Sequence, residues 1–380
     1  MPAMILRVFQ AMVFTAFVAS AEDASVGERI SHRDFPSVFQ AWNEATPIAG
    51  ADATTMRALH DLVFLHPSMI GLQSETAFEG TTFGFAPATI LKAKAERAAL
   101  LAKNPHLILI AEIRYRDAPK GFIPDDAPWW KRDAKNQYVI GWPEGGYRLL
   151  DVAQPDWQAQ VARRAKAVME TGVFDGVMFD WWADDEPRLN LMRRLREAIG
   201  NDALVLVNSN DLPIPRTAEY VNGLYMECYR TKSPDEWKRI SETLRWAETR
   251  LRTPRINCLE IWYHQSRRDL DLMRAVTTLS LTHSDGYCLF ADPNDLPTSD
   301  HLHDWYAFWD KGLGRPVTPG VQRTDGAWER AFSGGRVIYN PAGGSSVKVR
   351  FDAPYRSRAS GLTSTEHTVN ANDGDIFLGK

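Results

Sequence analysis

Along most of the chain, short continuous apolar runs alternate with longer stretches in which apolar residues recur every three or four positions. The runs are Asp61–His66 (DLVFLH), His106–Ile113 (HLILIAEI), Tyr147–Val152 (YRLLDV), Asp175–Asp180 (DGVMFD), Ala203–Val207 (ALVLV), Asn222–Glu227 (NGLYME), Asn257–Ile261 (NCLEI) and Gly286–Phe290 (GYCLF). Continuous hydrophobicity is the signature of strands buried on both faces of a parallel sheet. Helical spacing between the runs predicts helices over 86–103, 155–171, 188–199, 234–250, 268–281 and 299–311. In the clearest of these, Pro155 suits the first turn, Trp157, Val161, Ala165 and Val168 share a face, and Gly172 marks the stop.

Eight strands, centred near residues 64, 109, 150, 177, 205, 225, 258 and 288, alternate with helices at a period near thirty residues. That pattern predicts an α/β protein, a (β/α)8 TIM barrel. No Gly-x-Gly-x-x-Gly follows the first run, so a dinucleotide-binding open sheet has no support. Residues 115–148 read as an irregular insertion rich in Pro, Gly, Trp and Tyr. Beyond Gly320 the helical spacing stops. Short runs at 335–339, 346–351, 366–369 and 376–378, separated by Asn-Pro, Gly-Gly and Asn-Asp-Gly turns, predict a small C-terminal antiparallel β domain. At the other end, Arg7, the apolar stretch Val8–Val18 and Ala19-Ser20-Ala21 read as a signal peptide with its cleavage site. The expected organisation is a signal peptide over 1–21, a barrel over 22–318 and a β domain over 319–380. It implies an exported protein, periplasmic or extracellular, with no membrane attachment once the leader is removed.

Composition narrows the function. Hydrophobic residues make up 44% and charged residues 24%, which is globular rather than disordered. A net charge of −4 argues against nucleic acid as a partner. Cys228, Cys258 and Cys288 fall one on each of the last three predicted strands and read as small buried thiols. No Cys-x-x-Cys, His-Glu-x-x-His, P-loop or Gly-x-Ser-x-Gly occurs, so neither a metal nor a cofactor is expected. The acidic turn Asp292–Asp295 is too short to argue for calcium, and His301 and His303, two apart on a predicted helix, share no face.

Barrel active sites lie at the C-terminal ends of the strands. That rule selects three carboxylates, Asp180, Glu227 and Glu260, each following an apolar run and flanked by aromatics: Trp181 and Trp182, Tyr229, Trp262 and Tyr263. Acids gathered at one mouth repel one another, which leaves one protonated and another ionised near neutral pH. Cleavage of a glycosidic bond uses such a pair, and aromatic faces suit the apolar faces of sugar rings. His66, Arg114, Asn208 and Asn210 also end strands and are candidate sugar ligands. Each has a structural alternative; for Glu260 it is an ion pair with Arg114 or Arg255.

The segment Phe174–Trp181 resembles the fourth-strand motif of glycoside hydrolase-like barrels, in which an Asp ends the strand. With the element order and the tail strand Arg330–Pro341, the chain is similar to bacterial glycoside hydrolase-like families, particularly hypothetical glycosyl hydrolase family 15. The resemblance implies a glycosidase acting on a polysaccharide or oligosaccharide, with an α-linkage favoured. Asp180 then matches the nucleophile and Glu227, on the sixth strand, the acid/base, with Glu260 in reserve. The alternatives are a non-catalytic carbohydrate-binding barrel and a structural protein of the cell envelope.

Overall fold

The computed structural model describes residues 24–264, 266–292 and 300–379. The expected signal peptide lies outside them. The described chain begins with α1 (Val26–His32), closed by a capping box in which Ser25 and Glu28 satisfy each other's backbone N–H groups. Then follow β1 (Phe39–Ala41), α2 (Ala53–Ala58), β2 (Leu62–Leu65), α3 (Pro87–Lys103) and β3 (Ile108–Glu112). An insertion carries β4 (Asp117–Ala118), β5 (Ile140–Trp142) and β6 (Tyr147–Leu149). The alternation resumes with α4 (Pro155–Glu170), β7 (Gly176–Phe179), α5 (Glu186–Ile199), β8 (Leu204–Asn208), β9 (Gly223–Cys228), α6 (Pro234–Arg250), β10 (Cys258–Trp262), α7 (Leu270–His283) and β11 (Tyr287–Ala291).

Eight strands form one parallel sheet in the order β1-β2-β3-β7-β8-β9-β10-β11. A parallel bridge between Val38 and Cys288 brings its two edges together, so the sheet closes as a barrel. Its residues are buried almost throughout, which is why the runs read as continuous hydrophobicity. Gly176 opens the DGVMFD strand because a Cβ there would meet the Leu204 carbonyl oxygen at 2.2 Å. Gly172 takes the left-handed conformation (φ +67°) just past α4, as its place in the sequence predicts.

The count of eight is right, but one predicted member is wrong and one was missed. Tyr147–Leu149 is not a barrel strand; it pairs antiparallel with β4 and β5 in a separate three-stranded sheet over the insertion. The missing strand is β1, three residues long and interrupted by Gln40, whose fully buried side chain donates to the Trp42 carbonyl. The predicted helix over 299–311 does not form across its described part. Only a 3-10 turn, Ala307–Trp309, is present, because His301 adopts φ +58° and both His301 and His303 turn into the protein. Residues 209–222 between β8 and β9 carry a single 3-10 turn, so the barrel lacks a helix there.

A second sheet, antiparallel and six-stranded, follows in the order β12-β13-β14-β17-β15-β16, with β12 (Val321–Gln322), β13 (Trp328–Phe332), β14 (Gly335–Asn340), β15 (Val347–Ser357), β16 (Thr363–Val369) and β17 (Asp373–Leu378). It docks on α7. Arg274 pairs with Asp373 at 2.8 Å, His283 lies 4.3 Å from the Trp328 ring, and Arg330 donates to the Ser284 carbonyl at the end of α7. The three cysteines are free and buried. Among the described residues no helix is long and apolar enough to cross a membrane.

Candidate active site

Strand ends bring a group of carboxylates to one mouth of the barrel. Asp180 follows β7, and Glu227 sits near the end of β9. Asn208, the last residue of β8, lies between them and donates through Nδ2 to Asp180 Oδ1 (2.7 Å) and Glu227 Oε2 (2.8 Å). Its amide orientation is fixed from behind, since Asn208 Oδ1 accepts the Asn210 N–H. Because both acids contact one nitrogen, their facing oxygens are no further apart than those two bonds laid end to end.

These acids line a cavity of about 320 Å³ together with Glu112, Asp117, Asp300, Arg114, His301 and a ring of aromatics. Glu112 ends β3 and is held by the Trp42 indole N–H (2.8 Å) and by Arg114 (3.5 Å). Arg114 faces the Tyr147 ring at 4.7 Å. His301 lies between acids: Nδ1 contacts Glu260 Oε1 at 2.8 Å, and Nε2 faces Asp300 at 3.4 Å and Glu227 at 3.8 Å.

Electrostatics separate the two acids bridged by Asn208. For Asp180, burial and the neighbouring Glu112 outweigh the Asn208 amide and Arg114, raising its pKa to about 6. For Glu227, burial with the charges of Asp180 and Glu260 outweighs the pull of His301 and Asn208, raising it further, to about 8. Burial opposes charge on His301, but Glu260, Asp300 and Glu227 overcome it and hold its pKa well above the ordinary imidazole value. Near pH 7 the bridged pair is therefore split, Asp180 toward the ionised and Glu227 toward the protonated form, beside the His301 imidazolium.

The remaining sequence candidates divide. Arg114, Trp181, Tyr229 and Trp262 line the cavity. Tyr229 and Trp262 lie together with ring centroids 5.4 Å apart, and Trp181 is half exposed with Arg116 over its face at 4.7 Å. Trp182 points the other way: it is 6% exposed, packs on Tyr115 and Phe179 and bonds Thr217. Consecutive residues after a strand face opposite directions, so a Trp-Trp pair supplies one rim residue and one core residue. Tyr263 packs against Phe290 rather than lining the cavity. His66 is paired with Glu79 (2.9 Å) and lines a different cavity, of about 310 Å³, beside Arg164. Glu260 is fully buried and does not line the cavity; its partners are Tyr225 and His301, not Arg114 or Arg255.

Trp42, Glu112, Asp300 and His301 were not among the candidates. The rule that selected Asp180, an acid closing an apolar run, applies equally to Glu112. One further feature marks the cavity. Four of its lining residues, Trp42 (φ +47°), Trp181 (+51°), Asn210 (+52°) and His301 (+58°), are non-glycine residues in the left-handed region. Such conformations cost about 1–3 kcal/mol each and persist where surrounding structure enforces them.

No family model matches the sequence, and no curated protein matches it significantly. The resemblance to hypothetical glycosyl hydrolase family 15 therefore has no family match behind it. Solved structures do share the fold. An α-amylase from Lactobacillus plantarum superposes over 94% of this chain and 100% of its own, at 13% identity and a TM-score of 0.55. A maltogenic α-amylase from Thermotoga neapolitana covers 91% and 99%, at 9% identity and 0.56. An α-amylase from Malbranchea cinnamomea covers 93% and 97%, at 11% identity and 0.56. At these identities the likeness defines the architecture, a (β/α)8 barrel followed by an antiparallel sheet.

Proposed function

We propose that the protein is an exported glycoside hydrolase acting on a polysaccharide or oligosaccharide by a retaining, two-carboxylate mechanism. The observation that carries this reading is the Asn208 bridge: the facing oxygens of Asp180 and Glu227 stand no further apart than its 2.7 and 2.8 Å bonds laid end to end, which favours the close spacing, about 5 Å, at which one carboxylate attacks the sugar directly. An inverting pair stands about 6.5–9.5 Å apart to admit water.

In this reading Asp180, ionised, attacks the anomeric carbon, and Glu227 gives its proton to the departing glycosidic oxygen. The bond between sugar and leaving group breaks as the Asp180–sugar ester forms. Glu227, now ionised, takes a proton from water, which attacks the same carbon and releases Asp180. His301 steadies Glu227 after proton loss, and Glu260 and Tyr225 hold His301 in place; Glu260 is thus a positioning residue rather than the second catalytic acid. Trp181, Tyr229 and Trp262 offer apolar faces to sugar rings. The α-amylase neighbours support carbohydrate as the substrate class and an α-linkage within it.

The test is hydrolysis of a panel of polysaccharides and oligosaccharides by the parent, Asp180→Asn and Glu227→Gln. The reading expects a loss of about 10²-fold or more in each variant on any substrate the parent cleaves. Full activity in either variant overturns it.

A further inference from the structure

Beside the second cavity, a hydroxyl, an imidazole and a carboxylate form a connected chain. His66 follows β2, and Ser68 stands two residues further on. Ser68 Oγ lies 2.7 Å from His66 Nδ1, and His66 Nε2 lies 2.9 Å from Glu79 Oε1. An ionised carboxylate only accepts, so Nε2 carries the ring proton and donates it to Glu79. Nδ1 then keeps its lone pair and accepts the Ser68 O–H. Glu79 is held in turn by the buried Arg164 at 3.2 Å, whose Nη1 donates to the Arg114 carbonyl. Burial opposes ionisation of Glu79, but His66 and Arg164 overcome it and hold its pKa below the ordinary carboxylate value.

His66 also caps the 3-10 turn Pro67–Ile70, accepting the Ser68 N–H at 3.4 Å. A cap requires neither the closer Ser68 hydroxyl nor a carboxylate on the far ring nitrogen. The surroundings point to a ligand. Ser68, His66 and Glu79 all line the cavity of about 310 Å³, and Ser68 is exposed. Leu72, Phe85, Ile113 and Val168 give the cavity an apolar wall. Gln73 lines it too, and its side-chain amide makes no hydrogen bond among the described residues. A nucleophile within reach of a base, the base oriented by a third group, and a pocket beside them are the parts of acyl transfer. The volume is at the small end of ligand pockets, which suits a short acyl group.

We propose that this is a second active site, a serine esterase centre for esters of short acyl groups, with Ser68 as nucleophile, His66 as general base and Glu79 as the positioning residue. Ser68 Oγ attacks the acyl carbon as its proton passes to His66 Nδ1. The Gln73 amide is the donor available to the oxyanion. The bond from the acyl carbon to the alcohol oxygen breaks, and that oxygen leaves with the proton from His66. Water then attacks the acyl carbon and gives a proton to His66. The bond to Ser68 breaks, Oγ takes that proton back, and the carboxylic acid departs. Either imidazole nitrogen serves as the base when an acid holds the other.

The experiment treats the wild-type protein with a fluorophosphonate, which phosphonylates activated serines, and maps the adduct by mass spectrometry. The expected result is one adduct, on Ser68, and none in Ser68→Ala. Hydrolysis of p-nitrophenyl acetate should fall about 10²-fold or more in that variant. Ser68 is exposed, so the variant should keep the parent's circular dichroism and urea midpoint. Glu79→Gln separates catalysis from support. Its amide donates to Nε2, which drives the ring proton to Nδ1 and disables the base, so labelling should slow about 10²-fold or more. No adduct on Ser68, labelling of Glu79→Gln as fast as the parent, or undiminished p-nitrophenyl acetate hydrolysis by Ser68→Ala each overturns the proposal. Asp180 and Glu227 line the other cavity, so the glycosidase reading stands or falls by its own test.

Discussion

Asn208 is the residue on which the two acids depend together, and replacing it by Leu is the sharpest perturbation of their electrostatics. Leucine nearly fills the same space, so water has no room to replace the lost donor, and it offers no N–H to either carboxylate. Each Nδ2 contact, at 2.7 and 2.8 Å, favours the ionised form of its acid. A hydrogen bond to a charged group contributes about 1.5–3 kcal/mol, and one pKa unit corresponds to about 1.4 kcal/mol. Losing the donor should therefore raise each acid by about one unit or more. Asp180 starts from about 6 and Glu227 from about 8. The assay is a carbon-13 carboxyl NMR titration of the variant and the parent, with the two signals assigned through Asp180→Asn and Glu227→Gln. It needs no substrate. In a rate profile the same change would move the window with Asp180 ionised and Glu227 protonated toward alkaline pH. If both carboxyls titrate in Asn208→Leu as in the parent, or move down, Asn208 does not couple them and the reasoning is wrong.

Glu227→Gln should stabilise the protein in a pH-dependent way. The folded state keeps the Glu227 proton up to about 8, whereas the unfolded chain loses it in the ordinary carboxylate range, so folding is penalised increasingly as pH rises between the two. The gain in thermal stability should be near zero at pH 4 and grow by up to about 1.4 kcal/mol per pH unit through that window; a gain equal at pH 4 and pH 8 would contradict this. Asp175 is 6% exposed, binds Arg29 and Arg97 and accepts the Leu109 N–H, tying α1 and α3 to the barrel. Asp175→Asn should cost about 3–5 kcal/mol by urea denaturation at pH 7. Burial opposes ionisation of Asp175, but Arg97 and Arg29 lower its pKa, so the parent's advantage holds above the ordinary carboxylate range and fades as pH falls through the depressed folded value. Trp182→Ala should cost about 3–5 kcal/mol by the same assay, while Trp181→Ala should change stability by about 0.5 kcal/mol or less and weaken sugar binding.

The barrel was legible because parallel strands buried on both faces leave unbroken apolar runs, and seven of the eight predicted runs are barrel strands. Asp180 follows the fourth barrel strand on either count, because an unannounced β1 and an apolar run outside the barrel offset each other. β1 went unseen because three residues around a buried Gln make no pattern, and Tyr147–Leu149 was counted because a short apolar run looks the same in a barrel and in a hairpin. Asp180, Glu227 and Asn208 come together at the mouth because they close or nearly close strands, where sequence position fixes direction. Trp42, Asp300 and His301 carry no such mark, because they sit on loops shaped by left-handed residues that no periodicity announces. The sequence around His301 has helical spacing, which its own left-handed backbone conformation breaks. Trp182 and Tyr263 lie off the cavity wall, because a pair of adjacent aromatics in the sequence does not disclose which one turns away.

In the proposed mechanism Asp180 forms a covalent bond to the sugar. Mass spectrometry of the protein treated with 5-fluoro glycosyl fluorides tests it directly, since these reagents slow the second step more than the first. The expected result is a protein heavier by one fluoroglycosyl group, with the label on Asp180 and none in Asp180→Asn. Turnover of the reagent with no adduct, or an adduct on Glu227 or Glu260, would contradict it.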